Sequence, residues 1–196
     1  GKEILESELF GHKMGGFTGA VKDKKGLLEE ANSGTIFFDE VGEMNIDLQA
    51  KLLRVLETQQ FYKVGDSKPT KVDVRVIAAT NRNLQSEAEK GNFRLDLFYR
   101  LSVFQIPLPS LAERLDDIET IARHYIKIYA DKMTKAPPVE SKEFLAALKK
   151  HPWKGNIREL KNVIERALIL CDRELLPEHL PFDFGETNLS ENIFDL

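Results

Sequence analysis

The chain has a single cysteine, no long apolar run and no strong excess of one charge. Each absence excludes something. One thiol cannot close an internal disulfide, and no Cys/His cluster has the spacing of zinc ligands. The longest uninterrupted apolar runs are five residues, Phe144–Leu148 and Ala167–Cys171. About 18 are needed to cross a bilayer. No secretory signal opens the chain. The formal net charge is −4 over 196 residues, so the basic footprint of a DNA-binding domain is lacking. No internal repeat or low-complexity tract is visible. Together these absences lead to the expectation of a cytoplasmic protein without membrane contact.

Apolar content, by contrast, is ample. It reaches 42% of the residues, and a chain this long buries roughly 70% of its unfolded surface. The acid is concentrated late. From Asp172 onward there are seven acidic residues and one basic, Arg173, so that tail carries −6 and residues 1–171 carry +2. Pro177, Pro181 and Gly185 punctuate the tail, which reads as a linker.

Periodicity divides the rest. Residues 1–13 read as helix with Ile4, Leu5 and Leu9 on one face, broken by the glycines of Gly15–Ala20. A short helix follows at Leu27–Asn32. Thr35–Asp39 is continuously apolar and β-rich, as suits a buried strand of a parallel sheet. Asn45 is placed to cap a helix carrying Leu48, Leu52, Val55 and Leu56. Phe61–Val64 and Val72–Ala79 read as strands around a turn at Gly65–Lys71. Gly91–Leu101 reads as helix and Phe104–Leu108 as strand. Beyond Leu111 the pattern is helical, near 116–133, 141–150 and 156–171. Asn156-x-x-Glu159 resembles a capping box on the last of these, and Ile157, Leu160, Ile164 and Leu168 form its stripe. Mixed elements followed by helices alone predict an α/β domain and then a helical one.

Five patterns carry chemistry, each with a plainer reading beside it. Ile36-Phe37-Phe38-Asp39-Glu40 sets two carboxylates at the end of an apolar strand, where open α/β sheets bind ligands. One such acid suits Mg²⁺ through water, and the next suits a water attacking a phosphoryl group. Two acids that merely begin a loop fit the same letters. Val76–Asn81 ends a second apolar strand on Asn81, placed to orient a water or to form a turn. Gly15–Ala20 sets Phe17 and Thr18 in a mobile glycine turn, where the aromatic either meets a partner or folds inward. Phe93–Leu101 carries Arg94 and Arg100, fixed cations for a phosphoryl transition state or simple surface charges. Arg158 lies in the first turn of the last helix, a poor place for a cation beside the helix dipole. The histidines His12, His124, His151 and His179 show no spacing that suggests a site.

In this order the patterns resemble the central AAA+ ATPase domain of the sigma-54-dependent transcription activators, the NtrC-type enhancer-binding proteins. The most specific segment is Glu6–Ala20, ESELFGHKMGGFTGA, similar to the family's ESELFGHEKGAFTGA. Gly34–Glu57 resembles the family's Walker B strand and following helix. Ala78–Leu84 resembles sensor I, Phe93–Arg114 the arginine-finger segment, and His151–Leu170 sensor II. The resemblance implies a three-layer α/β/α parallel sheet of the P-loop NTPase type, then an all-helical lid. It implies ATP and Mg²⁺ as ligands. Asp39 and Glu40 would be the Mg²⁺ and water-activating carboxylates, with Asp39 holding the metal through water. Asn81 would be sensor I. Arg94 and Arg100 would reach the nucleotide of an adjacent subunit, and Arg158 would sense nucleotide from the lid. Gly15, Gly16, Phe17, Thr18, Gly19 and Ala20 would press on sigma-54 RNA polymerase, close to promoter DNA. The implied assembly is a ring, commonly a hexamer, and hydrolysis would move the loop to remodel the closed promoter complex. The expected division is 1–110 partial α/β subdomain, 111–171 helical lid and 172–196 acidic linker.

Some positions depart from the family pattern. Gly16 replaces alanine, Lys13 a frequent glutamate, Lys63 an arginine, and Ser110 and Ala112 a proline and an arginine. A working phosphate loop needs a preceding strand and a run of backbone N–H groups before its lysine. Gly1-Lys2-Glu3 has neither. The expectation is therefore an internal fragment whose Walker A segment and first strand lie upstream, whose sheet shows an uncovered apolar face, and which does not hydrolyse ATP alone. Enhancer DNA would be met only through a further domain. Two other readings remain: a nucleotide-independent oligomerisation or binding module with relic motifs, and a different AAA+ remodelling machine.

Overall fold

The computed structural model describes residues 2–182. They form two compact units that divide between Ile106 and Pro107. In the first, α1 (Lys2–Phe10) is followed by α2 (Leu27–Glu30), β1 (Thr35–Phe38) and α3 (Ile46–Thr58). Next come β2 (Gln60–Tyr62), β3 (Pro69–Lys71), β4 (Arg75–Ala78), α4 (Leu84–Glu89) and α5 (Leu95–Leu101). The second unit holds α6 (Asp117–Lys132), β5 (Val139–Glu140), α7 (Lys142–Lys150), α8 (Asn156–Leu170) and β6 (Glu174–Leu175). The mixed α/β class and the helical second part agree with the reading of the sequence.

The core of the first unit gathers Leu9, Phe10, Leu28, Ile36, Phe38, Leu48, Leu52, Val55, Phe61 and Leu97. Strand β1 pairs in parallel with β4, Phe38 opposite Ala78. Its burial alternates, which corrects the reading of a fully buried strand and agrees with the expected uncovered apolar face. Ile36 and Phe38 are buried, whereas Phe37 is 59% exposed and Ile77 of β4 is 44% exposed. Helix α1 stops at Phe10 because Gly11 turns with φ +76° and lies backbone to backbone against Gly26. Its buried residues are Ser7, Leu9 and Phe10, while Ile4 and Leu5 of the expected apolar face are exposed. Helix α3 is capped as expected, by Asn45 accepting from the Leu48 N–H at 3.0 Å.

Three further expectations are corrected. The hairpin partner of β2 is Pro69–Lys71, not Val72–Ala79. The chain then breaks before β4, because Arg75–Ala78 pairs with β1 instead. Phe104–Leu108 joins no sheet among the described residues. Pro107 and Pro109 lack the N–H a ladder needs, and Phe104, Ile106 and Leu108 are exposed. At the start of α8, Asn156 does not cap its own helix. Its Oδ1 accepts from the Leu111 N–H at 2.7 Å, and Gly155 becomes the cap, its N–H held by Glu159 at 2.8 Å.

The second unit packs α6, α7 and α8 around Ile118, Phe144, Leu148, Trp153, Leu160, Ile164 and Leu168. Residues 172–182 of the expected linker are packed as well. Strand β6 pairs with β5, and Leu175 and Leu180 enter the core. Pro177 begins a single 3₁₀ turn. The remainder of the acidic tail lies outside the described residues.

Candidate functional site

Parallel pairing of β1 with β4 makes both strands deliver their next residues to one edge. From β1 come Asp39 and Glu40, from β4 come Thr80, Asn81 and Arg82. The backbones stay joined past the strands: the Ala79 N–H donates to the Phe38 carbonyl at 2.8 Å, and the Val41 N–H to the Ala79 carbonyl at 3.0 Å. Asp39, Glu40 and Asn81 are all exposed there. Glu40 adopts a left-handed conformation, φ +53°, which a side chain tolerates only when its surroundings impose it. The turn throws the chain into a 3₁₀ segment, Val41–Glu43. Gly42 is buried in the angle, and a Cβ there would lie 2.9 Å from Thr80 Oγ1. The structure thus brings Asp39, Glu40 and Asn81 to one strand edge.

Arg82 ties the same two loops together, pairing with Glu43 at 2.5 Å and Glu87 at 3.5 Å. Sequence reasoning missed it, because an arginine in a loop carries no signal until its acidic partner is located. Among the described residues, no group of three or more metal-ligating side chains occurs. Mg²⁺ is commonly held by one or two carboxylates with waters and phosphate oxygens completing the shell. The exposed pair Asp39 and Glu40 fits that chemistry.

Arg94 occupies the N-cap position of α5 without a side-chain cap bond, and Arg100 lies in the last turn of that helix. Arg94 forks onto Asp96, Nε to Oδ1 at 3.1 Å and Nη2 to Oδ2 at 2.7 Å. This hydrogen bonding holds the Asp96 carboxyl below the ordinary range and lifts the guanidinium further. Arg100 Nη2 donates to the Leu56 carbonyl at 2.9 Å. Gln49 of α3, also missed, fixes the approach to α5. Its side chain donates to the carbonyls of Met44 at 2.6 Å and Asn92 at 3.1 Å, and accepts from the Arg94 N–H at 2.8 Å.

The Gly15–Ala20 turn closes on itself through the Gly15 N–H to the Ala20 carbonyl at 2.8 Å and the Ala20 N–H to the Phe17 carbonyl at 3.0 Å. Its foot is held by Asp23, which accepts from Lys13 Nζ at 2.6 Å and the Met14 N–H at 2.8 Å. Those bonds keep the Asp23 carboxyl below its ordinary value. The turn rests on the β2–β3 hairpin, where a Cβ on Gly16 would lie 2.6 Å from the Val64 carbonyl oxygen. Gly16 therefore departs from the family's alanine at a place where this backbone leaves no room for a methyl group. Thr18 is exposed and Phe17 half-buried, its ring edge-on to His12.

Arg158 is exposed on the first turn of α8, in the second unit. Behind it, Glu159 accepts from His151 Nε2 at 2.6 Å and from the Gly155 N–H. Burial works against the ionised carboxylate, but these two donors hold it below the ordinary range.

Residues 1–107 match the model of the sigma-54 interaction domain, and residues 112–193 match the AAA+ ATPase lid domain. The nitrogen fixation protein AnfA of Azotobacter vinelandii is 50% identical over the whole chain, which covers 37% of that protein. The transcriptional regulator NtrC of Escherichia coli K12 is 43% identical over 97% of the chain, covering 41% of that protein. The chain therefore spans about two fifths of the length of these curated relatives. A crystal structure of NtrX from Brucella abortus in complex with ADP superposes with a TM-score of 0.82 at 40% identity, over 92% of this chain and 40% of NtrX. The same protein in complex with ATP gives 0.83 at 38% identity, over 97% and 44%. The chain belongs to the sigma-54 interaction domain family of NtrC- and Nif-type transcriptional regulators, followed by an AAA+ lid.

Proposed function

We propose that this chain is the part of a sigma-54-dependent activator that couples ATP hydrolysis to remodelling of sigma-54 RNA polymerase. The observation that carries the reading is the strand edge at which Asp39, Glu40 and Asn81 meet. Mg²⁺ supplies charge neutralisation for the phosphates when bound, and Asp39 would hold it through water. Glu40 would polarise the attacking water, and Asn81 would orient that water or the terminal phosphate. Arg94 and Arg100 are proposed to reach the nucleotide of a neighbouring subunit in a ring. Their present partners, Asp96 and the Leu56 carbonyl, lie on or beside exposed surface and can be exchanged. Arg158 would contact nucleotide from the lid. The Gly15–Ala20 turn would present Phe17 and Thr18 to sigma-54, close to promoter DNA. Such a role belongs in the bacterial cytoplasm. No helix among the described residues is long and apolar enough to cross a membrane.

Paired substitutions in the full-length protein test the reading. Glu40→Gln lowers ATP turnover by about 100-fold or more, as loss of a general base does. Phe17→Ala leaves turnover within about twofold of the parent and abolishes capture of sigma-54 in the presence of ADP and aluminium fluoride. Full turnover in Glu40→Gln removes the catalytic assignment. Undiminished capture by Phe17→Ala removes the assignment of the loop.

A further inference from the structure

His12 stands where three segments meet. Its main chain is fixed on both edges. The His12 N–H donates to the Lys24 carbonyl at 3.0 Å and the Lys24 N–H returns to the His12 carbonyl at 2.9 Å. On the other side the hairpin clasps its neighbours, with the Val64 N–H on the Gly11 carbonyl at 3.0 Å and the Lys13 N–H on the Val64 carbonyl at 2.9 Å. His12 is buried, with 8% of its surface exposed. Its Nδ1 is hydrogen-bonded at 2.6 Å to Oγ of Ser7, a buried residue of α1. The ring then meets Phe17 edge to face, centroids 5.0 Å apart and planes at 79°.

The turn that carries Phe17 is closed by its own backbone hydrogen bonds, which hold the main chain but do not set the direction of that ring. Gly15 and Gly19 both have positive φ, and open space surrounds the place of a Cβ at each. A ring contact from outside the turn can set that direction, and His12 supplies one. A buried polar ring is costly unless bonded. Here the bond to Ser7 satisfies Nδ1 and also fixes the plane of the imidazole. We infer that His12 is a positioning residue: it is the fixed bearing, anchored through Ser7 to α1, that sets how Phe17 is presented to sigma-54. The inference rests on the proposed role of the loop and adds a residue to it.

The test uses the full-length protein, with sigma-54 capture measured in ADP and aluminium fluoride and ATP turnover measured alongside. His12→Asn retains a partner for Ser7 but removes the ring. It lowers capture affinity about tenfold and leaves turnover within about twofold. Phe17→Leu weakens capture by itself. Adding His12→Asn to Phe17→Leu produces no further loss, because a bearing without its ring bears on nothing. Unchanged capture in His12→Asn, or losses that multiply in the double variant, overturns the inference. Undiminished capture in Phe17→Leu defeats the reading of the loop itself, whatever His12 does. If His12→Asn loses turnover through misfolding, Ser7→Ala replaces it. That variant frees the imidazole and gives the same non-additive loss, and unchanged capture there overturns the inference equally.

Discussion

Gln49 is wholly buried between Leu48 and Leu52 on the inner face of α3. A primary amide in such a place must satisfy its donors and acceptor or destabilise the fold. It does so with the carbonyls of Met44 and Asn92 and the N–H of Arg94. Replacing it with leucine keeps the volume but leaves those groups without a partner. Gln49→Leu is expected to destabilise the first unit by about 1–3 kcal/mol, measured by urea denaturation. Amide exchange in α5 should rise with it, because the Arg94 N–H loses its acceptor. Exchange in α5 equal to the parent's would count against this role. The presence of a polar residue on an otherwise apolar stripe was legible in the sequence. Its partners were not, since two of them lie 43 and 45 residues away. The same limit hid His12, whose Ser7 bond is local but whose meaning depends on the hairpin and on Phe17.

At the level of elements, what is local was legible and what is shared was not. Asn45 caps α3 across three residues, and its letters sufficed. Asn156 has the same kind of signature, yet its side chain serves Leu111, 45 residues earlier. Glu159 is left to hold the open end of α8 through Gly155, with His151 beside it. Phe104–Leu108 has the composition of a strand, but a strand exists only with a partner. Glu159 gives α8 a pH dependence whose sign is fixed. Its carboxyl is held below the value of an unfolded chain, so its stabilisation is complete above about pH 4.3 and is lost as pH falls through the lowered value. The midpoint of unfolding of the second unit, followed by Trp153 emission, should drop on acidification below about pH 4. Glu159→Gln should make that drop shallower. An identical acid profile in the variant would show that other carboxylates carry the effect.

At the scale of the molecule, the described residues form two cores with no residue in common. One runs from Leu9 to Leu97, the other from Leu111 to Leu180. This much followed from the change of texture after Leu111, because periodicity reports which face of each element is buried. It does not report that the packed unit continues through Leu175 and Leu180. Proline and acid residues there look like linker, yet the apolar residues between them complete the helical core. Separate cores imply separate unfolding. The chain's one tryptophan, Trp153, is buried in the second, its Nε1 donating to the Leu148 carbonyl at 2.7 Å. Its emission therefore reports that unit alone. Phe144 is fully buried in the same cluster. Phe144→Ala should lower the stability read by Trp153 by about 3–5 kcal/mol while amide protection in α3 stays at its parental level. Leu52→Ala should do the converse, stripping protection from α3 by about 2–5 kcal/mol and leaving the emission transition in place. If each substitution moves both transitions equally, the two units unfold as one, and the division between Ile106 and Pro107 has no energetic meaning.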